Sequence, residues 1–154
     1  MNDSTGVPAH VAVANLVYTY AERIDLGDFA GVAELFAHAV ITNEGSDERS
    51  EGTAAAQEMY EKWTRRYEDN GTPHTKHVTT NLIIEVDEAA GAATCRSYFT
   101  VMQQTPNLAL QPIIAGRYHD RFERVDGTWR FSQRHIISEL FGDLSQHMLR
   151  SVNP

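Results

Sequence analysis

The string Asn70-Gly71-Thr72-Pro73 divides the chain into two parts with different hydrophobic periods, and that division limits the folds open to it. Before it, Val13, Leu16, Val17, Tyr20, Ala21 and Ile24 recur at spacings of three and four, one face of an α-helix. Pro8 suits the first turn and Gly27 a C-terminal stop. Asp28 then caps a second helix carrying Phe29, Val32, Leu35 and Phe36, and a short β-like piece follows at Ala39-Val40-Ile41-Thr42. The spacing predicts a third helix from about Thr53 to Tyr67, with Ala56, Met59, Tyr60 and Trp63 inward. After the break the period is extended. Four β-rich runs follow, His77 to Val86, Ala93 to Gln103, Leu110 to Arg124 and Thr128 to Ile137, with Asp126-Gly127 fitting a tight hairpin.

Helices followed by a long meander predict an α+β fold, in which a curved antiparallel sheet packs as a cone on three N-terminal helices. The 154 residues suffice for one domain, residues 1–154, in which 138–154, with Leu140, Phe141, Leu144 and Met148, form a C-terminal tail or lid. A cone closed on one side by helices leaves a concave space, the expected place for a small-molecule site.

Composition removes several function classes. A hydrophobic content of 42% with 22% charged residues excludes a disordered chain. Thirteen Lys and Arg against 21 Asp and Glu give a net charge of −8, and no basic run exceeds Arg65-Arg66, so nucleic acid is not an expected partner. A single cysteine, Cys95, allows neither an internal disulfide nor a cysteine-rich zinc site. No apolar run approaches the ~18 residues that span a membrane. The acidic start Met1-Asn2-Asp3-Ser4 does not resemble a secretory signal, and the expectation is a cytoplasmic protein. Without a glycine-rich phosphate loop, an HExxH string or a convincing ligand cluster, no metal or organic cofactor is expected.

Two residues stand out as candidates for chemistry. Asp25 ends the first helix, where the macrodipole disfavours a negative charge, so it is either solvated or held by donors. His77 opens the first long strand, and strict alternation puts it on one face with Thr79 and Asn81, opposite Val78, Thr80, Leu82 and Ile84. If His77 faces the cavity, an Asp25 partner would fix its tautomer and make it a competent general base. On the last strand, Trp129 and Phe131 face the core, and alternation continues that face to Gln133 and His135 while turning Arg134 outward unless a bulge intervenes.

Several strings resemble the SnoaL-like branch of the nuclear-transport-factor-two-like superfamily. They are Tyr20-Ala21-Glu22-Arg23-Ile24-Asp25 with Gly27-Asp28, His77-Val78-Thr79-Thr80-Asn81-Leu82, Gly116 to Phe122 and Asp126 to Arg134. The resemblance covers about residues 10 to 137 and implies the cone fold. Within the branch, gamma-hexachlorocyclohexane dehydrochlorinase and scytalone dehydratase use an Asp–His pair to take a proton from carbon as a leaving group departs. Asp25 and His77 match that pair, and Arg134 matches an arginine that assists the leaving group. Tyr20 stands where the dehydrochlorinase has a lysine.

The resemblance implies a cofactor-independent lyase acting on a hydrophobic cyclic or aromatic molecule. Asp25, His77 and Arg134 would be catalytic, and Tyr18, Tyr20, Tyr118, Gln133 and His135 would line the substrate site. The alternatives are an isomerase or polyketide-type cyclase, or a non-catalytic ligand-binding or oxygenase β-subunit-like module. The apolar face opposite His77, Val78, Leu82, Ile84 and Val86 with Ile113 or Ile114, is expected to be convex and buried between copies of the chain. A homo-oligomer follows, with a trimer preferred to a dimer on the match to the dehydratase-like group.

Overall fold

The computed structural model describes residues 6–151; the acidic start at Met1–Ser4 and the last three residues of the tail lie outside the described residues. Helix α1 spans Ala9–Asp25 and buries Ala9, Val13, Val17, Tyr20, Ala21 and Ile24, the apolar stripe of the sequence. It ends in a Schellman motif. The Gly27 amide donates to the Ile24 carbonyl and the Asp28 amide to that of Arg23, with Gly27 at φ +73°. A Cβ at Gly27 would lie 2.1 Å from the Gly71 carbonyl oxygen, so this turn also needs the absence of a side chain. Asp28 then caps α2 (Phe29–Leu35) by accepting from the Gly31 amide at 2.8 Å.

Helix α3 covers Gly52–Trp63, so it stops four residues before the expected Tyr67. Thr64 is extended instead and bridges to Met148, because the chain there pairs with the C-terminal segment. Strands β1 (Val40–Asn43), β2 (Arg49–Glu51), β3 (Thr75–Asp87), β4 (Ala92–Thr105), β5 (Leu108–Val125) and β6 (Thr128–Phe141) form one sheet in the order β2-β1-β6-β5-β4-β3. The class is α+β with three helices, as expected. The sheet departs from the expected antiparallel one in being mixed, since β1 pairs parallel to β6; β2 and β3 are its edges. The crossover through α3 and the meander returns β6 beside β1 in the same direction, which no local pattern encodes.

Two bulges reassign the faces of the long strands. Asn81, at φ +56°, interrupts the β3–β4 register between Thr80 and Ile83. Beyond it Leu82, Ile84 and Val86 turn inward and pack against the core, while Val78 and Ile83 are exposed. Ile113 is buried as well, and Ile114 is half-buried against the core. The convex apolar face expected from strict alternation is therefore mostly an inner face. On β6 a shift opposite Arg121/Phe122 places an extra residue between Phe131 and Gln133. Arg134 joins Trp129 and Phe131 inside, and Gln133 and His135 lie on the other face, the reverse of the alternation prediction.

Residues 142–151 form turns and a single bridge after β6, and Leu140 and Phe141 are exposed at the end of the strand. Residues 144–149 lie across the end of the sheet nearest Asp25. The Arg65 amide donates to the His147 carbonyl at 2.8 Å and the Leu149 amide to the Trp63 carbonyl at 2.9 Å. Tyr67 Oη and Gln103 Nε2 both donate to the Gln146 carbonyl, at 2.5 and 3.1 Å.

Candidate active site

The Schellman turn fixes Asp25 on the last turn of α1, against the first residues of β3. Its carboxylate collects three donors: Thr75 Oγ1 at 2.8 Å, the His77 backbone amide at 2.8 Å and His77 Nδ1 at 2.6 Å. These donors offset the adverse end of the α1 dipole. The side chains of His77 and Asp25 are only 7% and 8% exposed. With Nδ1–H engaged by the carboxylate, the His77 lone pair is on Nε2, which has no hydrogen-bond partner among the described residues. Oriented this way, the ring can accept a proton at Nε2 while Asp25 stabilises the resulting imidazolium.

A second polar group lies deeper on the same concave face. Arg134, 0% exposed, pairs in a fork with Asp120, Nε to Oδ1 and Nη2 to Oδ2, both at 2.8 Å. Its guanidinium lies 3.8 Å from the Tyr118 ring centroid and 4.2 Å from that of Tyr20. Burial works against the guanidinium charge, and the Asp120 carboxylate more than offsets it, so Arg134 stays protonated. Nη1 is buried and has no partner among the described residues. Tyr20 sits edge-on to His77 with centroids 6.1 Å apart, and its hydroxyl accepts from Tyr60 at 3.1 Å, so one aromatic ring links the two groups. Burial raises the Tyr60 and Tyr118 phenols well above their usual range, which keeps both protonated.

The structure therefore brings Asp25 and His77 into contact and turns Arg134, Tyr20 and Tyr118 into the same interior. It does not bring the other expected lining residues there. Tyr18 is 49% exposed on the outer side of α1, because its position falls off the apolar stripe. Gln133 faces away from Arg134 after the β6 bulge, and His135 bonds Thr42 Oγ1 and Glu44 instead, at 2.7 Å each. Cys95 is buried beside this interior, and burial, then the Asp120 charge, pushes its thiol up to about 11.

Three residues of the interior were not among the expected site residues. Asp120 is the ion partner of Arg134 and carried a signal, since Asp120 and Arg134 fall opposite one another across the Asp126-Gly127 hairpin once the bulge is counted. Gln103 is buried, with Nε2 bound to the Pro73 and Gln146 carbonyls and Oε1 unpaired. His147 comes from the C-terminal segment and had no local signal at all. Among the described residues no three His, Cys, Asp or Glu side chains cluster as metal ligands, and no helix is long and apolar enough to cross a membrane. A groove of about 510 Å³ is lined by Val86, Ala93, Arg121 and Phe122 at the other end of β3 and β4, away from the dyad.

A curved sheet folded over three helices places the chain among small α+β domains of cystatin-like fold. Within that class the chain belongs to the SnoaL-like domain family, whose pattern it matches over residues 7–135. No curated protein matches it by sequence. Among solved structures, it is similar to a singly substituted form of Rv3472, a protein of unknown function from Mycobacterium tuberculosis. That pair shares 25% identity over 84% of this chain and 71% of that one, with a TM-score of 0.68. LinA is 22% identical over the whole of both chains, with a TM-score of 0.70. A Novosphingobium aromaticivorans protein provisionally described as a scytalone dehydratase is 21% identical over 94% and 91%, with a TM-score of 0.69.

Proposed function

We propose that this protein is a cofactor-independent lyase that removes a proton from carbon in a hydrophobic cyclic or aromatic molecule and expels a leaving group from the neighbouring carbon. The observation that carries this reading is the 2.6 Å bond from His77 Nδ1 to Asp25 with Nε2 left free in a buried, aromatic interior. His77 Nε2 takes the proton, and Asp25 holds the tautomer and balances the imidazolium. The C–H electron pair forms the new double bond, and the departing hydroxide or halide leaves towards the unpaired Nη1 of Arg134. A departing hydroxide recovers the proton from His77 and leaves as water, whereas after loss of a halide His77 returns the proton to solvent. Arg134 with Tyr20 and Tyr118 forms the leaving-group side, and the family likeness to LinA and the scytalone dehydratase-like fold supports the class.

The test is a panel of cyclic β-hydroxy and β-halo ketones, with elimination followed by the absorbance of the conjugated product. Wild-type protein should turn over at least one member, and His77→Ala should lower kcat by about 10²- to 10⁴-fold, the ordinary contribution of a general base. Turnover that survives His77→Ala removes the dyad from the mechanism. Isomerised product with every atom retained would assign the same base to an isomerase.

A further inference from the structure

His147 is the one imidazole of the interior that the scheme above does not use. It is 7% exposed, and its Nδ1 is buried with no hydrogen-bond partner among the described residues. A buried polar atom left without a partner is costly, so an unpaired Nδ1 calls for an explanation. The charges of His77 and Asp25 both act on the ring. Its position is also specified from both sides. Its own carbonyl is held by the Arg65 amide, and the preceding Gln146 carbonyl by Tyr67 and Gln103. Gln103 in turn pairs in register with Thr75, whose hydroxyl donates to Asp25. These bonds run the segment that carries His147 past the Thr75 and Asp25 end of the site, while Arg134 lies against the far side of Tyr20.

We propose that His147 is a further catalytic residue of this site, donating from Nδ1–H to a carbonyl oxygen of the substrate that becomes an enolate oxygen when His77 takes the adjacent proton. The proposal rests on the lyase reading and narrows its substrates to cyclic carbonyl compounds. Burial first, and then the His77 charge, lower the His147 pKa to about 4, so the ring is neutral at neutral pH and acts as a donor without surrendering its proton. The step balances. The α C–H bond breaks, its proton goes to His77 Nε2, and its electron pair moves into the enolate, whose oxygen bears the charge facing His147. Collapse of the enolate restores the carbonyl as the leaving group departs on the Arg134 side.

Deuterium uptake at the α carbon of 1-tetralone in D2O isolates the first half of this sequence, because that ketone has no leaving group. NMR should show exchange with the wild-type protein and its loss in His77→Ala. His147→Ala should slow exchange about 100-fold, the effect of removing one oxyanion donor. The loss should fall on kcat rather than KM. His147→Asn, which keeps a donor near the Nδ1 position, should restore part of it, and Leu149→Ala on the same segment should leave the rate unchanged. If the wild type exchanges and His77→Ala abolishes it while His147→Ala stays within two-fold, His147 has no such role and the dyad reading stands. If Leu149→Ala slows exchange as much as His147→Ala, the effect is segment packing, and the proposal falls. Absence of wild-type exchange, or exchange that survives His77→Ala, overturns both readings.

Discussion

At the residue scale, the Asp120–Arg134 pair shows how much of this interior is built from charge. Burial pushes the Asp120 carboxyl up and the Arg134 charge pulls it back, and the fork of two N–H donors onto two oxygens is the geometry of an ionised pair. Removing one member strands the other in a low-dielectric interior. Asp120→Ala should therefore cost about 3–5 kcal/mol by urea denaturation, and the double variant Asp120→Leu/Arg134→Met markedly less than the sum of the two singles. An Asp120→Ala protein as stable as wild type would mean that water or another group satisfies the guanidinium. Asp25 differs in kind, because its three donors include a backbone amide that no side-chain substitution removes.

At the element scale, the C-terminal segment is the part of the fold whose closure responds to pH. The His147 ring sits at about 4 when buried and near 6.5 when released, with His77 lowering it and Asp25 opposing. Between those values the open segment binds a proton that the closed one does not, so closure weakens as pH falls through that window and is unaffected above it. The full difference is roughly 3 kcal/mol. Hydrogen exchange at the Arg65 and Leu149 amides, which hold the segment, should lose about 20-fold in protection between pH 7 and pH 5 after correction for intrinsic rates. His147→Ala should show no such loss. Equal pH dependence in the variant would assign the effect to some other group. The segment is suited to this role because it is attached through a few hydrogen bonds and a single bridge to Met148, not through a strand ladder.

At the scale of the molecule, the inward turn of Leu82, Ile84 and Val86 shrinks the outer apolar surface but does not abolish it. Val78 and Tyr98 remain exposed on the uncovered face of β3 and β4, with Ile83 beyond the bulge. A sheet face without helices over it either carries polar residues or meets another copy, and these side chains favour the second. The expected assembly is a homo-oligomer joined through this face, with a trimer as the preferred size. Light scattering should then give about three times the 17.3 kDa chain mass. A monomer mass would overturn the interface, and a dimer would overturn only the number.

The sequence by itself determined what depends on neighbours along the chain. The 3.6-residue stripe of α1, the Gly27-Asp28 stop and cap, the four long strands and the Asp126-Gly127 hairpin are all local, and all are present. Asp25 was legible as a candidate because a carboxylate ends the helix where the macrodipole disfavours it, and His77 because its strand opening resembles that of the SnoaL-like branch. Only the tertiary structure decided where the other site residues face. A single bulge flips every residue beyond it, and the bulges at Asn81 and after Phe131 arise from how the long strands bend onto the helices. That is why Arg134 came in while Gln133 and His135 went out. His147 was invisible for a stronger reason. Nothing within several residues of it signals a site, and it is buried only because the chain after β6 folds back across the end of the sheet to pair with Thr64 and Arg65, more than 80 residues earlier.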